Sequence, residues 1–136
     1  MTDKDLVAKK LALIETSVAQ LRSLARPEAI REDIREERFV EHTLQIAIQA
    51  ALDVASHVVS DERLGEPETN KELFDLLVRA GKLQAPLASR LRDMAGFRNV
   101  IVHGYQDVDL GVVEDVLQHD LGDLLDLVEA IRAGLR

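Results

Sequence analysis

Arg98, Asn99 and His103 stand within six positions of one another, and Tyr105 follows two residues after the histidine. The full run is Arg98-Asn99-Val100-Ile101-Val102-His103-Gly104-Tyr105. Arginine is a permanent cation whose forked donors suit phosphate. Histidine is the side chain whose ordinary pKa permits proton transfer near neutral pH. Together they form a minimal set for working on a phosphodiester without a metal.

The elements that carry these residues restrict how they can cooperate. Asn99 and His103 are four apart and share a face of a helix. Arg98 and His103 are five apart, about 140° round an ideal helix, so one helix aims them poorly at one atom. Either the long arginine reaches around, or two copies of the helix meet across a two-fold and bring both pairs into one cleft. Arg98 also stands in an apolar stripe of Leu87, Leu91, Met94 and Ile101. A charge there needs an internal carboxylate, a partner chain or a ligand. Asp53 is the candidate internal carboxylate. Asp53 and His57 are four apart on an earlier helix, with Gln49 extending the line. They read either as a solvated flank or as groups supporting the Arg98 cleft. No metal-ligand spacing, glycine-rich phosphate loop or Ser–His–Asp arrangement is present, so neither metal nor cofactor is expected.

The hydrophobic pattern is helical throughout. Val7, Leu11, Ile14, Val18, Leu21 and Ala25 form one stripe, closed by Pro27. Val40, Leu44, Ala47, Ala51, Val54 and Val58 form a second, beginning as early as an Asp33 cap with Glu36 three residues on. Ser60 to Thr69 reads as a loop. Thr69 and Glu72 form a capping-box signature for a short helix that turns Leu73, Phe74, Leu76 and Leu77 inward and ends near Gly81. Pro86 suits the first turn of the helix that bears Arg98, and Gly104 is a natural stop. Asp109 can cap a last helix with Val113, Leu117, Leu121, Leu124, Val128, Ile131 and Leu135 inward. The expected fold is all-α: an antiparallel bundle of four main helices plus one short helix, in one domain over residues 1–136.

With 136 residues the chain can bury a real core, and with no cysteine it has neither disulfides nor thiolate metal sites. The N-terminus lacks a signal-peptide pattern, and no apolar run approaches the roughly 18 residues of a membrane span. A cytoplasmic protein with no membrane association is expected. The net charge of -8 and the scarcity of aromatics, three Phe, one Tyr and no Trp, weigh against sequence-blind nucleic-acid binding. The charge is uneven, however. Arg79, Lys82, Arg90, Arg92 and Arg98 face one acid, Asp93, within their segment, whereas Asp107 to Glu129 holds eight acids and no Lys or Arg. The basic segment either gathers phosphate at short range or pairs with the acidic last helix.

Met94 to Tyr105, followed by Asp107-Val108-Asp109, resembles the HEPN superfamily, and within it the HepT-like toxins of prokaryotic toxin–antitoxin pairs. Leu44 to His57 and Leu73-Phe74 also look like that family, so the likeness covers nearly the whole chain. The resemblance implies a metal-independent endoribonuclease, the toxin of a type VII-like pair, working as a homodimer with both motifs at the dimer cleft. It implies that Arg98 holds the scissile phosphate, that His103 moves the proton and that Asn99 orients them. The substrate would be RNA and not DNA, because the 2′-hydroxyl is the nucleophile. It further implies a partner, a minimal nucleotidyltransferase antitoxin that neutralises the toxin by moving AMP from ATP onto Tyr105. Two other readings stand beside it: a non-catalytic helical module that binds a nucleotide or recruits such a partner, and a purely structural dimerisation bundle.

Overall fold

The first helix, α1 (Lys4–Leu24), starts where the Asp3 side chain accepts the Leu6 amide, and a 3-10 turn over Pro27–Ala29 follows it. The remaining helices are α2 (Ile34–Asp61), α3 (Asn70–Arg79), α4 (Ala85–His103) and α5 (Leu110–Asp115). A π-helical turn, Val116–Asp120, runs from α5 straight into α6 (Leu121–Leu135). The computed structural model describes residues 3–103 and 109–135, and among them every regular element is helical. No helix among the described residues is long and apolar enough to cross a membrane.

The stripes read from the sequence are the buried faces. Val7, Leu11, Ile14, Val18 and Leu21 of α1 are buried, as are Val40, Leu44, Ala47, Ala51, Val54 and Val58 of α2. One continuous core joins these to residues of α3, α4 and α6. Polar contacts give the helices their directions. The Asp3 amide donates to Asp61, and Lys10 pairs with Asp53, so α1 and α2 run in opposite directions. Lys82 pairs with Glu62, which places the start of α4 beside the end of α2. Arg31 pairs with Glu114, which holds α5 against the connection between α1 and α2. The C-terminal end of α4 therefore lies where α1 stops and α2 begins.

The caps mostly fall where the sequence places them. Asp33 accepts the Arg35 amide, Thr69 the Glu72 amide and Asp109 the Gly111 amide. The glutamates three residues on take other donors than the box pattern expects. Glu36 accepts the Arg26 amide and Glu72 the Glu68 amide. The loop expected from Ser60 begins later, because α2 continues through Asp61.

Two helices end in the same way on very different residues. At α3 the Lys82 amide reaches the Leu77 carbonyl and Gly81 adopts φ +76°. At α2 the Leu64 amide reaches the Val59 carbonyl and Arg63 adopts φ +53°. Both are Schellman closures, which favour glycine at the left-handed position because a Cβ there crowds the backbone. Arg63→Gly should therefore stabilise the fold by up to about 1 kcal/mol, and Gly81→Ala should destabilise it by about as much. Urea unfolding followed by circular dichroism measures both, and opposite signs are the expected result.

Glu41 on α2 has one carboxylate oxygen, Oε1, buried without a hydrogen-bond partner among the described residues. Burial first, and then the Glu37 carboxylate beside it, push the Glu41 carboxyl above the ordinary carboxylate range, while Arg38 pulls the other way. A carboxyl raised in this sense holds its proton more firmly in the folded chain than in the unfolded one. Its contribution to stability is present at low pH and is lost as pH climbs from the ordinary glutamate value through the raised one. Glu41→Gln should thus melt higher than the parent chain at pH 7, with the gap closing as pH falls toward the glutamate range. Thermal melts at stepped pH test this, and a lower melting point for the variant at pH 7 would contradict it.

Candidate functional site

Helix α4 packs Leu87, Leu91 and Met94 into the core and lays Ile101 partly against it. Arg98 occupies the stripe position between Met94 and Ile101 and is half-buried. Its Nε is buried and has no hydrogen-bond partner among the described residues. Its Nη1 donates to the Oδ1 of Asn99, which is exposed, at 3.3 Å. A buried donor left unpaired costs about 1–3 kcal/mol, and more when it belongs to a charged group. The guanidinium is thus tethered on one side by its neighbour and, among the described residues, lacks an acceptor on the other.

His103 is the last residue of α4, so Arg98 and His103 lie on one continuous helix. Five residues of helix give about 7.5 Å of rise and about 140° of rotation between them. The side chain of His103 and the whole of Tyr105 lie outside the described residues, as does the Gly104 stop.

Asp53 does not serve as the internal counter-ion considered for Arg98. Its Oδ2 accepts from Lys10 Nζ at 3.1 Å and its Oδ1 from Gln49 Nε2 at 2.9 Å. It closes the contact between α1 and α2, and no hydrogen bond or ion pair among the described residues joins it to Arg98. His57 is half-buried one turn further on, likewise with no hydrogen bond among those residues linking it to Arg98. The structure therefore brings Asn99 to Arg98 and gives Asp53 other work.

The basic segment is neutralised piecemeal. Lys82 pairs with Glu62 of the loop after α2, Arg92 with Asp75 of α3, and Arg90 with Asp123 of α6. One of these three pairs reaches the acidic last helix, so that pairing is a partial explanation of the segment. Arg79 and Arg98 form no ion pair among the described residues. At the end of the bundle that carries Arg98, three further arginines, Arg26, Arg35 and Arg38, are exposed and likewise form no ion pair among those residues. That end also exposes Leu24, Ile34, Val100 and Val112, four of the five large apolar side chains open to solvent among the described residues. No group of three or more His, Asp or Glu among the described residues is arranged to hold a metal ion.

A groove beside α4 has no counterpart among the motifs of the sequence. Arg90, Asp93, Met94 and Phe97 line it from α4, and Val112, Val116, Asp120 and Asp123 from the other side. The spacing 90, 93, 94 and 97 marks one face of a helix, but the opposing wall depends on a π turn that has no sequence signature.

Residues 14–131 match the family described as ribonuclease HepT-like. A protein named mRNA nuclease HepT, from Shewanella oneidensis, is 29% identical over 130 residues, which is 95% of this chain and 98% of that protein. One named tRNA nuclease HepT, from Aphanizomenon flos-aquae, is 38% identical over 69 residues, 51% of this chain and 47% of that protein. The solved structure of a tri-AMPylated Shewanella oneidensis HEPN toxin in complex with MNT antitoxin superposes with a TM-score of 0.88 at 29% identity, covering 98% of this chain and 99% of that one. A toxin–antitoxin structure with AMP-PNP gives 0.89 at 28% identity, over 95% and 98% of the two chains.

Proposed function

Because the chain belongs to the HepT-like ribonuclease family of HEPN proteins, we propose that it is an endoribonuclease toxin in which Arg98, Asn99 and His103 cleave RNA without a metal. The observation that carries this reading is the Arg98 guanidinium, half-buried in an apolar stripe, held by Asn99 at Nη1 and in no ion pair among the described residues. A phosphate oxygen is the acceptor that such a fork accommodates best.

The step is a transesterification. The imidazole of one His103 takes the proton of a ribose 2′-hydroxyl, and the 2′-oxygen bonds to phosphorus. The bond from phosphorus to the 5′-oxygen breaks, and that oxygen takes a proton from the imidazolium of His103 of the partner subunit. The products are a 2′,3′-cyclic phosphate and a 5′-hydroxyl. Arg98 stabilises the charge that gathers on the phosphate oxygens. A homodimer joins the two motifs, and the exposed Val100 on the motif helix, with Leu24 and Ile34 at the same end, supports an interface there. Arg26, Arg35 and Arg38 offer contacts to flanking phosphates despite the net charge of -8.

The variants His103→Ala and Arg98→Ala should each lose about 10²–10⁴ in cleavage rate while keeping the dimeric mass of the parent in light scattering. Cleavage by the parent should persist in EDTA. Unchanged cleavage by His103→Ala, loss of activity in EDTA, or a monomeric parent would each refute the corresponding part of the mechanism.

Tyr105 is the proposed acceptor of AMP from a minimal nucleotidyltransferase antitoxin that uses ATP. A phosphodiester on that phenol would bring an anion into the reach of Arg98 and occupy the place of the RNA phosphate. Tyr105→Phe should retain most of the cleavage activity and lose protection by the partner. Mass spectrometry after incubation with the partner and ATP should find AMP on Tyr105 of the parent chain. Full neutralisation of Tyr105→Phe with no adduct anywhere would show that inhibition works by binding alone.

A further inference from the structure

The groove between α4 and the π turn is a cavity of about 210 Å³. That is smaller than the space a drug-sized ligand fills and suits a single flat ring system. Met94 and Phe97 form a buried apolar floor, and Val116 and the exposed Val112 form the facing wall. The polar part of its lining is strongly unbalanced. Asp93, Asp120 and Asp123 contribute three carboxylates, and Arg90 is the one cation among the described lining residues. Arg90 is already committed, since its Nε donates to Asp123 Oδ1 at 2.9 Å. Asp93 and Asp120 accept no hydrogen bond among the described residues. Burial, and then the charges of Asp123 and Asp115, push the Asp120 carboxyl above its ordinary range, against the pull of His119 and Arg90. The groove is therefore rich in acceptors and short of donors.

Its position ties it to the motif. Phe97 immediately precedes Arg98, so their backbone positions differ by about 1.5 Å along the α4 axis and about 100° round it. The groove therefore opens on the same stretch of α4 that carries Arg98, where a base next to a phosphate held by Arg98 would have to lie.

We propose that the groove is a base-recognition pocket that favours guanine beside the scissile phosphate, with the Asp120 carboxylate accepting from its Watson–Crick edge; this rests on the ribonuclease reading above. The edge chemistry selects the base. Guanine presents N1–H and an exocyclic amino group side by side, a pair of donors that matches the two oxygens of one carboxylate. Adenine and cytosine present one amino group beside an acceptor nitrogen. Uracil presents one N–H between two carbonyl oxygens, which a carboxylate repels. Single-stranded RNA exposes these edges, and apolar or aromatic surfaces receive the ring face.

The test uses the purified full-length chain and its Asp120→Asn variant. Four single-stranded RNAs differ only in the base beside the cleaved phosphate. The parent should cut the guanine substrate roughly ten-fold faster than the uracil one or better, and Asp120→Asn should bring all four within about two-fold of one another. In parallel, guanosine and uridine 3′-monophosphates are titrated against both proteins by NMR, which needs no turnover. Guanosine monophosphate should shift the amides of Phe97, Val112 and Asp120 in the parent and not in the variant. Selective guanosine binding by a chain that cuts no RNA keeps the pocket and removes the ribonuclease reading. Cleavage with no base preference and no guanosine selectivity overturns the pocket. Equal preference in parent and variant, with weakened capture of the nucleotidyltransferase by Asp120→Asn, also overturns it and gives the groove to a basic side chain of that partner.

Discussion

Alanines at 47, 50, 51 and 55 give the middle of α2 a strip of small side chains between its larger apolar ones, and all four are buried. Small residues let helix backbones approach closely, and α1 and α2, tied at Asp3–Asp61 and Lys10–Asp53, form the most extensive helix pair among the described residues. This seam is the frame for the remaining helices. Once α1 and α2 are paired, α4 finds its place through Leu91 and Met94, and its own length carries the motif to the end of the bundle. A shift of α4 by one helical turn would move Arg98 by about 5.4 Å and take it away from the surface that Arg35 and Arg38 occupy. Close packing in the core thus sets the position of a charge outside it.

The electrostatics follow a similar division of labour. The ion pairs Lys10–Asp53, Arg31–Glu114, Arg90–Asp123, Arg92–Asp75 and Arg132–Glu15 each tie one element to another. They are partly exposed, so each contributes little to stability, but each consumes a cation. The arginines outside such pairs include four at the motif end. A net charge of -8 describes the molecule as a whole. A phosphate within a Debye length of about 8–10 Å of that end meets these arginines together with the acids of the same stretch, Glu28, Glu32, Asp33, Glu36 and Glu37.

Much of this arrangement is legible in the amino-acid sequence, for reasons that differ by residue. The stripes of α1, α2 and α6 are legible because a helix with one buried face must repeat apolar residues every three to four positions. Asp33, Thr69 and Asp109 are legible as caps because each bears a short acceptor before a periodic run. Arg98 stands out as a charge in an apolar register, and Asn99 as its neighbour. The partner of Asp53 is not legible, since Lys10 lies 43 residues away and only the fold brings them together. Nor is the left-handed Arg63, because arginine carries no mark of that conformation. Ser60 and Asp61 look like loop residues by type, yet helix hydrogen bonding continues through them.

The π turn changes the arithmetic of the chain after it. Val113, Leu117 and Leu121 follow one another at steps of four, and in a regular α-helix two such steps overrun the face by about 80°. All three are nonetheless buried, because the wide turn over Val116–Asp120 absorbs the excess before α6 begins. This stretch in effect holds one residue more than a straight helix with the same core face requires. Loss of one residue there would leave Leu124, Leu127, Val128 and Ile131 in phase with the core. The same loss in the middle of α1 or α2 would turn everything beyond it by about 100°. Among the core-forming helices, the wall of the groove is thus the place where the chain can shorten by a residue and still close its core.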